Sequence, residues 1–198
     1  MHKANLLWWK HCAEKYARFF VGPNRVAEFG SLNVNGSVRQ FFDGFKEYTG
    51  IDWRKGPNVD VVSLAHKVKL EPGYDTIISA SMLEHDPYWE RSLERMVKHL
   101  APRGGLFLSW GAARNNPHRF ETAPDGLFHS LPARRLLLKL DALGLHVHEF
   151  RYEYRMPWLD EEAKRKLDEG CVGAVAFVNA EDAVGEPELD ELLPEDEA

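Results

Sequence analysis

The sequence predicts a doubly wound α/β fold: one sheet of about seven strands, mostly parallel with an antiparallel edge strand, in three α/β/α layers. Three observations predict it. Apolar runs such as "YDTIISAS" lack hydrophobic/polar alternation, as strands buried on both faces do. Helical patterns take turns with these runs, which calls for crossover connections and hence parallel pairing. The last two runs, "LHVHEFRYEY" and "CVGAVAFVNA", are joined by a charged helical pattern and read as an antiparallel edge pair.

Each element has its own signal. Residues 4–20 place Leu7, Trp8, Cys12, Tyr16 and Phe19 or Phe20 at helical spacing, which predicts an amphipathic helix laid on the body or lidding it, ended by Gly22-Pro23-Asn24. "RVAEFG" is the first strand, "SVRQFF" a short helix, and "YTGID" and "VDVVSL" the next strands. After the break at Glu71-Pro72-Gly73 come the strand "YDTIISAS", the helix "DPYWERSLERMVKHL" opened by Asp86 and Pro87, and the strand "GGLFLSW". Residues 112–130 carry no period and hold Pro117, Pro124 and Gly126, so they read as a long loop of the functional kind. "PARRLLLKLDALG" is a helix closed by Gly144, and "DEEAKRKLDEG" a charged helix between the last two strands.

A chain of 198 residues with 44% hydrophobic content suits one domain, here residues 25–180, with the N-terminal helix in 1–24 before it. The formal charge of −6 is uneven, because residues 181–198 hold nine acids and no base, leaving 25 bases against 22 acids elsewhere. That segment reads as a solvated, disordered tail. Cys12 and Cys171 suggest neither a disulfide framework nor a zinc site. Neither a secretory signal nor an apolar run of membrane-spanning length is visible, so the expected location is cytoplasmic.

The turn in "RVAEFGSLNVNGSVRQFF" is the first functional signal, since a glycine-bearing loop after a first strand lets backbone N–H groups approach a ligand. A dinucleotide fingerprint counted from Gly30 would need glycines where Leu32 and Asn35 stand, and no phosphate-binding G-x-x-x-x-G-K-S/T motif occurs. A ligand without a pyrophosphate remains.

"VAEFGSLNVNG", with Glu28, Gly30 and Gly36, resembles the first motif of class I S-adenosylmethionine-dependent methyltransferases of the type 11 kind, which have a Rossmann-like fold. The likeness continues through "YTGID", "SLAHKV", "YDTIISASMLEHDP" and "MVKHLAPRGGLFLSW", over about residues 25–111. It implies S-adenosylmethionine as cofactor and S-adenosylhomocysteine as product. It also implies that Asp52, 22 residues after Gly30, accepts hydrogen bonds from the ribose hydroxyls, with Trp53 beside it and Ala65 and His66 against the adenine. Glu28, Gly30, Ser31, Asn35 and Gly36 would form the bend under the amino-acid end, and Ser79, Ala80 and Ser81 lie at a strand end, where doubly wound folds bind ligands. The plainer readings are a turn cap for Glu28, core packing for Trp53 and a surface histidine for His66.

Methyl transfer is a direct displacement, so alignment and exclusion of water are most of what the protein must supply. His85, after the fourth strand, is the candidate general base for a hydroxyl acceptor; otherwise it supports the next helix. The acceptor is expected to be a small molecule, a sugar or other polar metabolite, met by Arg114, Asn115, His118 and His129 in the long loop, which also holds Trp110 at its root. The spacing of His118, Asp125 and His129 fits no regular element, so no metal is expected. A nucleic-acid methyltransferase using Arg134, Arg135, Lys139 and the stretch Lys164 to Lys166 on phosphates is the disfavoured enzyme alternative, because no D/N-P-P-Y/F motif ends the fourth strand. A non-catalytic protein of the same fold is the other alternative. The chain is expected to be a monomer or homodimer.

Overall fold

The computed structural model describes residues 3–111, 131–152, 171–182 and 188–189. Eight strands form one sheet in the order β3-β2-β1-β4-β5-β7-β6-β8. They are β1 (Arg25–Phe29), β2 (Glu47–Asp52), β3 (Val61–Val62), β4 (Tyr74–Ala80), β5 (Leu100–Gly111), β6 (His146–Tyr152), β7 (Cys171–Phe177) and β8 (Glu188–Leu189). Neighbours from β3 to β5 run parallel, whereas β7 is antiparallel to both β5 and β6. The last two long strands thus form the expected antiparallel pair at this end of the sheet, with β7 between β5 and β6 and the two-residue β8 outside β6.

The alternation of side chains along the strands divides the core between two faces. On one, α1 (Lys3–Lys15) and α2 (Ala17–Phe20) press Trp8, Trp9, Cys12, Tyr16, Phe19 and Phe20 onto Val26, Ile78, Phe107, Val175 and Phe177. On the other, α3 (Trp89–His99) and α4 (Ala133–Ala142) bring Leu93, Met96, Leu136 and Leu140 onto Ala27, Phe29, Ile77, Leu106 and Leu108. Each such large side chain contributes about 1.5–3 kcal/mol by leaving water, so the N-terminal helices are part of the core.

Specific polar ties hold α1 down. Glu149 on β6 is fully buried and accepts from His11 (2.7 Å) and Tyr16 Oη (2.6 Å), with Lys15 Nζ at 3.1 Å and Arg151 Nε at 3.0 Å. Burial alone would raise its pKa; the hydrogen bonds from His11 and Tyr16, with the positive charge around it, prevail and hold it at about 2. Trp8 donates to the Leu108 carbonyl at 3.0 Å, and its indole lies over Gly173, where a Cβ would fall 2.4 Å from the ring. Gly173→Val is therefore expected to lower stability by about 1–3 kcal/mol by displacing Trp8, read as a lower melting temperature and a shifted tryptophan emission.

Four elements differ from the sequence expectation. The helix over residues 4–20 is two helices, because Tyr16 leaves helical geometry at φ −111° and ψ 39°. "SVRQFF" forms only a 3-10 turn, Val38–Phe41, capped by Ser37 Oγ on the Arg39 N–H and ended when the Phe42 N–H returns to the Arg39 carbonyl. The third strand is two residues long, since Asp60 turns its carboxylate to the Gly50 N–H at 2.8 Å and its own N–H to the Gly50 carbonyl. Within the acidic segment, the 3-10 turn Ala180–Asp182 buries Asp182 against Arg103 (2.7 Å) and Arg18 (3.1 Å), hydrogen bonds that hold its carboxyl below the usual range. Glu188–Leu189 then pairs in parallel with Glu149–Phe150. The rest of that acidic segment, like the charged helix expected within 160–170, lies outside the described residues.

Candidate functional site

The carboxyl ends of β1, β2 and β4 diverge around a cleft of about 970 Å³, counted to its open mouth. Parallel strands place all their carboxyl ends on one side, which is why the loops carrying the candidate residues meet there.

The bend after β1 forms one wall. Gly30 has φ +84°, and a Cβ on it would sit 2.6 Å from the Cβ of Met82, so glycine is required for both backbone and space. The Gly30 and Ser31 N–H groups both donate to the Ile51 carbonyl, at 2.8 and 3.0 Å, pinning the bend to β2. Gly36, at φ +125°, closes the loop by donating to Asn33 Oδ1 at 2.9 Å. Glu28, Gly30, Ser31, Asn35 and Gly36 all line the cleft.

Asp52 ends β2 with its carboxylate held by the N–H groups of Leu32 (3.3 Å) and Arg54 (3.0 Å), and Trp53 lines the cleft next to it. Burial raises the Asp52 pKa against these hydrogen bonds. Glu28 is 3% exposed and accepts from Tyr48 Oη at 2.7 Å. Burial pushes its pKa up to about 7, Asp52 adding to this while Tyr48 and Arg39 oppose it. The charged lining residues are thus Glu28, Asp52 and Asp86, with no lysine or arginine among the described lining residues. Such a cleft suits a neutral or cationic ligand and disfavours a phosphate.

The fourth strand supplies the far wall through Ala80, Ser81, Met82 and His85. Ser81 adopts φ +52°, a costly conformation for a residue with a side chain, and its hydroxyl accepts from Asn5 Nδ2 at 2.7 Å. The start of α1 therefore reaches the cleft. His85 closes the 3-10 turn Leu83–His85, is 8% exposed, and faces the cleft. Asp86 accepts from the Tyr88 N–H (2.8 Å) and from Ser92 Oγ, so it ties the turn before α3 to the helix's first turn while lining the site.

Two expected contacts are not brought in. Ser79 points into the sheet and is fully buried, because alternation along β4 turns Ala80 rather than Ser79 to the cleft. His66 stands at the rim, its ring 4.4 Å from that of Tyr88, while Ser63, Leu64 and Ala65 take the lining positions. Trp110 belongs to the core, donating to the Leu131 carbonyl at 3.2 Å. Arg135 and Lys139 are engaged with Glu90 and Glu94 of α3 rather than offered to phosphates. Arg114, Asn115, His118, Asp125 and His129 lie outside the described residues. Among the described residues there is no group of three or more His, Cys, Asp or Glu able to hold a metal, and no helix long and apolar enough to cross a membrane.

Sequence reasoning missed Leu32, Leu64 and Met82, lining residues whose only signal was adjacency to the motif positions. It also missed Glu84, which is buried, accepts from the Gly111 N–H at 2.8 Å, and has no hydrogen bond to its other oxygen among the described residues. Burial pushes its pKa up to about 7. Glu28 and Glu84 thus bind protons more tightly folded than unfolded, so both withdraw stability as pH rises from about 4.5 to 7. Glu28→Gln and Glu84→Gln are each expected to raise the melting temperature at pH 8 and leave it unchanged at pH 4, by thermal unfolding of the ligand-free protein.

No family model matches the chain, and no curated protein matches it. Solved structures do. The 1,6-didemethyltoxoflavin-N1-methyltransferase of Burkholderia thailandensis, with bound S-adenosylhomocysteine, superposes with a TM-score of 0.65 at 14% identity, over 88% of this chain and 78% of that one. An S-adenosylmethionine-dependent methyltransferase of Mesorhizobium loti gives 0.62 at 14% identity, over 88% and 97%. The cyclase SpnF gives 0.57 at 15% identity, over 87% and 80%. The fold is that of class I S-adenosylmethionine-dependent methyltransferases, a fold the cyclase shares.

Proposed function

We propose that this chain, having the class I methyltransferase fold, is an S-adenosylmethionine-dependent methyltransferase that acts on a small-molecule acceptor. One observation carries the reading: an acidic cleft at the strand ends, with no lysine or arginine among its described lining residues, in which a glycine bend faces a carboxylate already oriented by two backbone N–H groups. S-adenosylmethionine is cationic at sulfur and carries an adenosine but no phosphate, which matches the charge and lining of this cleft.

In this reading Asp52 accepts the ribose hydroxyls with the lone pairs that Leu32 and Arg54 leave open. Trp53, Leu64 and Ala65 give the adenine apolar surface, and Glu28 with the bend Gly30–Gly36 meets the ammonium end. The group supplies an electrophilic methyl on sulfur. The protein's part is to align the acceptor and exclude water, with Ser81 and Asn5 at the rim of the cleft. His85 takes a hydroxyl proton from the acceptor at a ring nitrogen. The acceptor-binding roles of Arg114, Asn115, His118 and His129 belong to this proposal.

Incubation with methyl-tritiated S-adenosylmethionine and a fractionated metabolite extract tests it. Label appearing in small molecules is expected, and reduced at least tenfold by Asp52→Ala. Cofactor binding without any transfer would favour the non-catalytic alternative, or a different chemistry such as the cyclase neighbour performs.

Gly30→Val is expected to abolish binding of S-adenosylhomocysteine. Unlike a surface change it also costs about 1–3 kcal/mol of stability, from the positive φ and the clash with Met82. Calorimetric titration and thermal unfolding check the two halves; full binding by the variant would remove the bend from the site.

A further inference from the structure

The charges of α3 are sorted by face. Glu90 and Glu94, four residues apart, pair with Arg135 and Lys139 of α4. Tyr88, Arg91, Arg95 and Lys98 follow at spacings of three, four and three, and so share a different stripe about 15 Å long. Arg91, Arg95 and Lys98 form no ion pair with any described residue.

The segment beside this stripe adds to it. Its 3-10 turn Ala65–Lys67 packs on α3, with the ring of His66 against that of Tyr88, and carries Lys67 and Lys69 exposed. The charges converge on His66: burial first, and then Lys67, Arg91 and Arg95 against the pull of Asp86, hold its imidazole below the usual range. Tyr88 remains 45% exposed with one ring face on His66. Ala65, next to His66, and Asp86, two residues before Tyr88, line the cleft, so the patch adjoins its mouth.

Basic side chains in single file, with no ion pair to a described residue and an exposed aromatic ring among them, are what a flexible polyanion with stackable faces requires. An anionic lipid surface or an acidic peptide would engage the charges but leave the Tyr88 face unused. We propose that the Tyr88–Lys98 stripe, with Lys67 and Lys69, is a docking surface for single-stranded RNA, its phosphates on Lys67, Arg91 and Arg95 and one base on Tyr88. This does not depend on the methyl-transfer reading. Its contacts differ from Arg134, Arg135, Lys139 and the stretch Lys164 to Lys166, which the disfavoured nucleic-acid alternative would use.

Fluorescence anisotropy of a short fluorescein-labelled single-stranded RNA of mixed sequence tests it on the full chain. Affinity is expected to fall about 20- to 50-fold between about 50 and 200 mM salt, as three or four phosphate contacts to a single strand require. The triple variant Lys67→Glu, Arg91→Glu, Arg95→Glu is expected to lose at least tenfold in affinity and most of the salt dependence, with an unchanged circular dichroism spectrum. Tyr88→Ala is expected to lose about fivefold or more without changing the salt slope. Lys10→Glu, on the exposed face of α1, should change nothing. Undiminished binding by the triple variant, or no measurable binding by the native chain at low salt, would overturn the proposal. So would an inert Tyr88→Ala together with equal, base-dependent binding to phosphatidylserine vesicles.

Discussion

Asp52→Ala is expected to weaken S-adenosylhomocysteine binding by about ten- to a hundredfold, because hydrogen bonds to a charged acceptor are worth about 1.5–3 kcal/mol. The side chain ends β2 inside the cleft, and its orientation comes from the Leu32 and Arg54 N–H groups rather than from another side chain. Removing it leaves those N–H groups facing the cleft, where water replaces the carboxylate. Stability should change little at neutral pH, since burial raises the Asp52 pKa and the group is not a net source of folding energy. Asp52→Asn, which keeps an acceptor oxygen without the charge, is expected to fall between the two. Titration calorimetry reads all three proteins, and equal affinity across them would remove Asp52 from the site.

Glu149→Ala is expected to cost about 3–5 kcal/mol, the largest stability effect of any single change considered. Four groups converge on this carboxylate from two elements: His11, Lys15 and Tyr16 from the N-terminal segment and Arg151 from β6. Removing it leaves half-buried positive charge without its counterion and unties the C-terminal half of α1. Its folded pKa of about 2 lies below the unfolded value near 4.5, so its contribution is complete above about pH 4.5 and disappears as pH falls toward 2. Acid unfolding of the native chain is therefore expected to steepen across that window, and Glu149→Gln to flatten it. Guanidinium titrations at pH 7 and pH 3 measure both; a variant as stable as the native chain at pH 7 would show that hydrophobic packing alone holds α1.

Most of this architecture was legible in the sequence because it depends on local period. The non-alternating run of Thr76–Ala80, the Asp86-Pro87 turn before α3 and the left-handed Gly144 after α4 each fix an element from within a few residues. What escaped depends on partners distant in sequence. Nothing local says that Tyr16 will break a helix, that Asp60 will turn to Gly50, or that Asp182 will meet Arg103 and Arg18.

The candidate site divides the same way. Gly30 and Asp52 could be placed from spacing because the strands that carry them are adjacent and parallel, so fixed positions along the chain become fixed positions in space. His66 and Ser79, named together with their neighbours Ala65 and Ala80, do not line the cleft while those neighbours do, since motif position alone does not specify which way a side chain turns at a strand end or in a 3-10 turn. Glu84 and the sorted charges of α3 needed the packing of β5 and α4 to become visible.

The most direct measurement is a crystal structure of the chain grown with S-adenosylhomocysteine. An adenosyl group across the ends of β1, β2 and β4 is expected, with both ribose hydroxyls on the Asp52 carboxylate and the amino-acid end over the Gly30 bend. Density for the ligand elsewhere, or a cleft closed by Met82, Trp53 and Leu32 under saturating ligand, would contradict it.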